Sequence, residues 1–304
     1  MLLDRFIDQT SDAELKAALE SAELIICDNV SQYFYEDSTK EVWNLRRDFP
    51  NVAPPFSTMF LEWMPDWLRQ SRHTRRLGLL VFSAQVIGDE RVAWSLDGSE
   101  RVREVVRNIL RAPEGERVKW VSMGALFIET HDKGIIPWSE IIWGVSKSGR
   151  PVIPEEGLPI IPHLDDAVYF ASSDEEIKNV VHFSWMVLHV PFLALSFMHC
   201  KNVILREGTY SPNLQKAREQ RGKRPFITYR VIEVHPIRKI LESEGEAHKT
   251  GFKKALHICR GHFKDYMEGP GLFGKIHDIF WWDAHIRGDK KCGMALKDYE
   301  VESE

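Results

Sequence analysis

LeuGlyLeuLeuValPheSerAlaGlnValIle, residues 77–87, decides the fold class. Eleven residues rich in Leu, Val and Phe, followed by Gly88-Asp89, read as a buried strand closed by a turn signal. Working outward, Met59–Met64 reads as a strand preceding it, and Val118–Glu129 and Glu140–Val145 as two strands following it. Between them, Glu100–Arg111 carries Val102, Val105, Val106 and Leu110 at helical spacing. Strands and helices interleaved in this way indicate an α+β protein, with helices and mixed strands in the N-terminal two-thirds.

Further out, Ser11 and Glu14 have the spacing of a capping box, and Leu15, Leu19, Leu24 and Ile25 recur at helical intervals, predicting a helix over 12–34. Pro54 and Pro55 force an extended backbone at 52–56. In the strand that follows, Glu62 is a lone carboxylate between Leu61 and Trp63, better explained by a salt bridge than by acid catalysis. Prolines 151, 154, 159 and 162 mark a long loop. The longest helix is expected at 174–200, with acidic residues in its first turn complementing the helix dipole. His182 and His189 lie on it seven residues apart and read as core histidines before they read as a proton relay. Its run from Phe183 to Met198 is almost wholly apolar, yet short for a membrane span of about 20 residues, and no membrane association is expected.

Composition places the chain among folded proteins: 304 residues, 43% hydrophobic, 28% charged, with 10 Trp that chiefly fill a core. Net charge is −5, but 201–304 holds 20 Lys and Arg against 15 Asp and Glu, while 1–200 holds 20 against 30. That asymmetry points to a C-terminal region facing an anionic partner. Cys27, Cys200, Cys259 and Cys292 lack paired spacing, as in a reduced cytoplasmic protein. No GxxxxGK[ST], GxGxxG or GxSxG motif and no zinc-finger spacing occurs, which leaves ATPase, Rossmann dehydrogenase and serine hydrolase readings unsupported.

Two units follow: residues 1–200, an α+β region containing the apolar helix, and 201–304, a basic segment leading into a β-rich, mainly antiparallel region. Ser211-Pro212 reads as a helix start. Lys216, Arg218, Arg221, Lys223 and Arg224 then form a cluster suited to phosphates, or to an exposed hinge. Phe226–Val234 alternates as a half-buried strand.

Chemistry concentrates in two extended segments, 256–263 and 279–287. With a period of two, His257 and Cys259 face one way and Arg260 and His262 the other. On the second segment, Trp281, Asp283, His285 and Arg287 share a face opposite Phe280, Trp282, Ala284 and Ile286. If the segments pair, Arg260 and His262 are expected beside His285 and Arg287, with Asp283 orienting an imidazole. Two histidines as base and acid, with arginines stabilising developing charge, would suit metal-independent phosphodiester cleavage. Cross-strand ion pairs on a polar face are the structural alternative. No metal site or other cofactor is expected: His257, Cys259 and His262 are close, but alternation sets His262 against the other two.

The ordered set MetHisCysLysAsnVal (198–203), ArgGlyLysArgPro (221–225) before TyrArgValIle, HisIleCysArgGlyHisPhe (257–263), LeuPheGlyLys (272–275) and TrpTrpAspAlaHisIleArgGly (281–288) resembles a family of uncharacterised proteins encoded by bacteriophages and bacterial mobile elements. The resemblance implies a phage or prophage setting in the bacterial cytoplasm and transfers no catalytic residue. Nucleic acid is the expected partner. The alternative is a non-catalytic interaction protein, a host-defence inhibitor or assembly factor, whose partner is another protein.

Overall fold

The computed structural model describes residues 1–31, 48–65, 68, 74–87, 91–92, 100–111, 118–131, 134–154, 159–162, 174–234, 255–259, 262–272, 274–282, 285–287 and 289–294. Helices accompany a mixed sheet, an α+β architecture. The chain forms two compact units, Met1–His199 with Ile204–Glu233, and Cys200–Val203 with Val234–Glu304. The segment 204–233, basic by composition, therefore belongs to the first unit.

The first unit is built on a ten-stranded sheet. Its strands are β1 (Glu23–Ile26), β2 (Thr58–Trp63), β3 (Thr74–Ile87), β4 (Arg91–Val92), β5 (Val118–Thr130), β6 (Gly134–Ser146), β7 (Pro151–Val152), β8 (Ile160–Pro162), β9 (Val203–Gly208) and β10 (Tyr229–Val234). They run in the order β7-β6-β5-β3-β2-β1-β10-β9, with β4 on β3 and β8 on β6. β1 is parallel to both β2 and β10, whereas the long β3, β5 and β6 ladders are antiparallel.

Helices cover both faces. α1 (Leu2–Gln9) and α2 (Ala13–Ser21) lay Leu2, Leu3, Phe6, Ile7 and Leu19 on Phe60, Leu80 and Phe127. α3 (Glu100–Leu110) sets Ile109 against Val121, Met123 and Ile142, which share that sheet face by register. The opposite face takes α4 (Asp174–Met198): Phe192 meets Trp143 edge-on at 5.1 Å, and Ser184 bonds Ser139 at 3.0 Å. Among the described residues one stretch, Val181–Met198, is long and apolar enough to cross a membrane, and 67% of it is buried within the structure. α5 (Pro212–Gln220) starts on Ser211, whose hydroxyl accepts the Leu214 N–H.

Two expectations fail near the N-terminus. The helix expected over 12–34 ends at Ser21, because Leu24 and Ile25 belong to β1, hydrogen-bonded between two parallel neighbours. Its cap is Asp12, not Ser11: Oδ1 accepts the N–H groups of Glu14 and Leu15 at 2.9 and 3.0 Å.

The second unit contains β11 (Ala255–Cys259), β12 (His262–Asp265), β13 (Ile279–Trp282), β14 (His285–Arg287) and β15 (Asp289–Met294). β11 and β12 fall along the first segment expected to be extended, and β13 and β14 along the second. β12 and β13 pair antiparallel, and β11 lies between β14 and β15. The glycine-rich link between β12 and β13 uses positive φ at Gly269, Gly271 and Gly274. At Gly271 a Cβ would also come within 2.9 Å of the Ile276 carbonyl oxygen.

Candidate functional site

Three of the five basic residues in 216–224 are engaged by the N-terminal helix. The Arg218 guanidinium donates to Asp8 Oδ2 at 2.9 Å and to the Arg224 carbonyl at 2.7 Å, and stacks over the Phe226 ring at 4.4 Å. Arg224 pairs with Asp4 at 3.3 Å and Asp8 at 3.6 Å, and Lys223 reaches Asp8 at 3.7 Å. The anionic partner of this segment is therefore α1 of its own chain. Lys216 and Arg221 stay exposed. Spacing did carry a signal for this: Asp4 and Asp8, one helical turn apart beside the apolar Leu3, Phe6 and Ile7, are the polar edge of an amphipathic helix.

Glu62 is a structural anchor. Fully buried, it accepts the Leu2 and Leu3 N–H groups at 2.9 and 3.3 Å, the unsatisfied donors that open α1. Its other oxygen lies 2.6 Å from Arg76 Nε, an ion pair whose angle falls outside that of a hydrogen bond. Arg76 in turn donates to both oxygens of Asp28 at 3.1 and 3.0 Å. Burial pushes the Glu62 carboxyl above the usual carboxylate range, with Arg76 and the two N–H groups pulling it back. The salt bridge expected of this residue is what the structure contains.

His189 is likewise a core histidine. Its Nδ1 lies 2.9 Å from the Trp185 carbonyl, and its ring packs 5.1 Å from Trp185. His182 is exposed.

In the second unit the two C-terminal segments do run antiparallel side by side. β11 and β14 pair His257 with Arg287, Ile258 with Ile286, and Cys259 with His285. β12 and β13 pair His262 with Trp282 and Lys264 with Phe280. Opposite positions share a face. The positions of His257, Cys259, His285 and Arg287 consequently share one face of the β11–β14 pair, and those of His262, Lys264, Phe280 and Trp282 share one face of the β12–β13 pair.

Of the residues expected to group, Arg287 is paired with His257, His285 with Cys259 and His262 with Trp282. These cross-strand partners depend on register, which alternation along a single segment cannot supply. Arg260 and Asp283 lie outside the described residues. Among residues with described side chains, no three His, Cys, Asp or Glu are placed to hold a metal ion; β11 and β14 are placed by backbone pairing.

The motifs around this hairpin serve its anchoring. Asn202 donates to the Trp281 carbonyl at 2.8 Å and accepts the Trp281 N–H at 2.9 Å, so its amide acts as a short strand partner. Lys201 N–H adds a bond to the Ile279 carbonyl at 2.8 Å. Nothing in sequence spacing announced Asn202, because its partner lies 79 residues away.

Fold and site define an α+β protein with a mixed sheet and a small C-terminal hairpin unit. The chain matches no protein-family model, no curated protein and no solved structure.

Proposed function

We propose that the chain is a phage- or prophage-associated protein of the bacterial cytoplasm that binds nucleic acid or another phosphate-bearing ligand. The binding surface is the His257, His285 and Arg287 face of a mainly antiparallel C-terminal unit. One observation carries this reading: the register that sets His257 opposite Arg287 one step from the Cys259–His285 pair. A guanidinium is a permanent cation whose planar fork matches phosphate oxygens, and imidazoles beside it add donors that titrate near neutral pH.

A second reading, a non-catalytic interaction protein such as a host-defence inhibitor or assembly factor, has its own support. The basic segment is largely spent on Asp4 and Asp8. Without it, the second unit holds 13 Lys and Arg against 12 Asp and Glu, a nearly neutral balance with little long-range pull on a polyanion.

Titrating the full chain into a labelled single-stranded oligonucleotide at several salt concentrations separates the two. Under the proposal log affinity falls with log salt by about 0.7 per phosphate contact. Arg287→Ala weakens binding by roughly 10-fold, while Lys216→Ala with Arg221→Ala leaves it within about 2-fold. A slope near zero, or unchanged binding by Arg287→Ala, overturns the proposal in favour of the interaction protein.

A further inference from the structure

α3 turns one side to the sheet and the other to solvent. Val105, Val106, Ile109 and Leu110 pack on the core formed with Val121, Met123 and Ile142, while Arg103, Glu104, Arg107, Asn108 and Arg111 are exposed. The three arginines recur every fourth residue, so each stands about 6 Å further along the helix axis on one slowly turning stripe. Arg107 Nε donates to the Arg103 carbonyl at 3.3 Å, which uses one of the five N–H donors of a guanidinium. Glu104 is the one carboxylate among the described side chains of this helix.

A second basic element adjoins the stripe. Gly144 lets α3 approach β6 closely: a Cβ there would come within 2.7 Å of Ile109 Cγ2 and 3.1 Å of Val152 Cβ. Gly144 and Val152 pair across β6 and β7, and the turn joining those strands is closed by the Ser146 N–H on the Arg150 carbonyl at 2.9 Å. Lys147 and Arg150 are exposed on that turn. The end of α3 that carries Arg107 and Arg111 thus sits over a strand pair whose turn adds two more cations.

We infer that this ridge, Arg103, Arg107 and Arg111 flanked by Lys147 and Arg150, binds the phosphate backbone of a nucleic acid strand. A guanidinium stays cationic at any physiological pH, and its planar fork fits two phosphate oxygens. One arginine per helical turn sets the charges at nearly the interval of successive phosphates along an extended strand. A protein partner fits the ridge less well, because protein interfaces centre on apolar and aromatic anchors and the exposed side chains named here are all polar or charged. Phosphate contacts position a strand without reading its bases, so the ridge accepts any sequence. It belongs to the first unit and does not rest on the His257, His285 and Arg287 face.

Full-length chain carrying Arg103→Gln, Arg107→Gln and Arg111→Gln together is titrated into labelled single-stranded oligothymidylate at several salt concentrations, beside wild type and Arg287→Ala. Glutamine matches arginine closely in helix propensity, and circular dichroism checks that the variant is folded. The triple variant is expected to bind at least about 10-fold more weakly, with a salt slope shallower by about 2, near 0.7 for each lost contact. Glu104→Gln, which removes the carboxylate beside the stripe, is expected to bind about 2-fold more tightly and carries the test if the triple variant does not fold. Wild-type chain that does not bind overturns the ridge, as does a folded triple variant matching wild type in affinity and slope, or weaker binding by Glu104→Gln. Loss in the triple variant with Arg287→Ala unchanged upholds the ridge and removes the C-terminal face; the reverse pattern upholds that face and removes the ridge. A loss seen only on phosphatidylserine vesicles, with oligonucleotide affinity unchanged, also overturns the ridge.

Discussion

Arg76→Met is expected to lower folding stability by about 3–5 kcal/mol, read as a fall in denaturant midpoint at constant slope. The substitution keeps an apolar stem of similar length and removes the guanidinium that lies 2.6 Å from Glu62. Glu62 stays fully buried, left with the Leu2 and Leu3 N–H groups and the nearby N-terminal ammonium to stabilise its charge. Two Asp28 hydrogen bonds go as well. The loss should also depend on pH. In the native chain Glu62 already titrates above the carboxylate range, with Arg76 the foremost group pulling it down. Without that cation it titrates higher still. A carboxyl whose folded-state titration lies above its unfolded one destabilises increasingly as pH rises, so the variant suffers most near neutrality. At pH low enough to protonate Glu62 in both proteins there is no ion pair left to lose, and the deficit narrows. A deficit that grows on acidification contradicts this account of Glu62.

Phe6→Ala should cost a comparable amount, about 3–5 kcal/mol, measured by thermal or chemical unfolding of the full chain. Phe6 is buried on the inner face of α1 and meets the Phe127 ring edge-on at 4.5 Å. Truncation leaves a cavity against Phe127 in the cluster that Phe60 and Leu80 share, all three held by the sheet and unable to collapse into it. Asp8→Asn on the outer edge of the same helix should cost under about 1 kcal/mol, because its partners Arg218, Lys223 and Arg224 form partly exposed ion pairs. This contrast assigns the docking of α1 to its apolar face and leaves the basic cluster the smaller task of fixing its edge. Equal losses from Phe6→Ala and Asp8→Asn would reverse that assignment.

Local pattern made much of the sheet legible. β3, β5, α3 and α4 lie close to where their apolar runs and periodicities place them, because burial against neighbours dominates those sequences. α1 escaped notice because its amphipathic spacing runs over only eight residues and its cap is Glu62, 60 residues away. Leu24 and Ile25 continue the helical spacing of Leu15 and Leu19, yet hydrogen bonds to two parallel strands outweigh propensity. In the basic segment, composition revealed the charge but not the Asp4 and Asp8 that meet it. On the C-terminal hairpin, a period of two sorted each segment's faces, whereas the partner across the ladder depends on register, and one step of slip exchanges the faces.

Cross-strand nuclear Overhauser contacts within the C-terminal hairpin, measured on labelled full-length chain, test the central claim most directly. The register predicts contacts joining His257 to Arg287, Cys259 to His285 and His262 to Trp282. Contacts joining His262 to His285 or Arg287 would place the imidazoles in a different grouping and contradict the phosphate face.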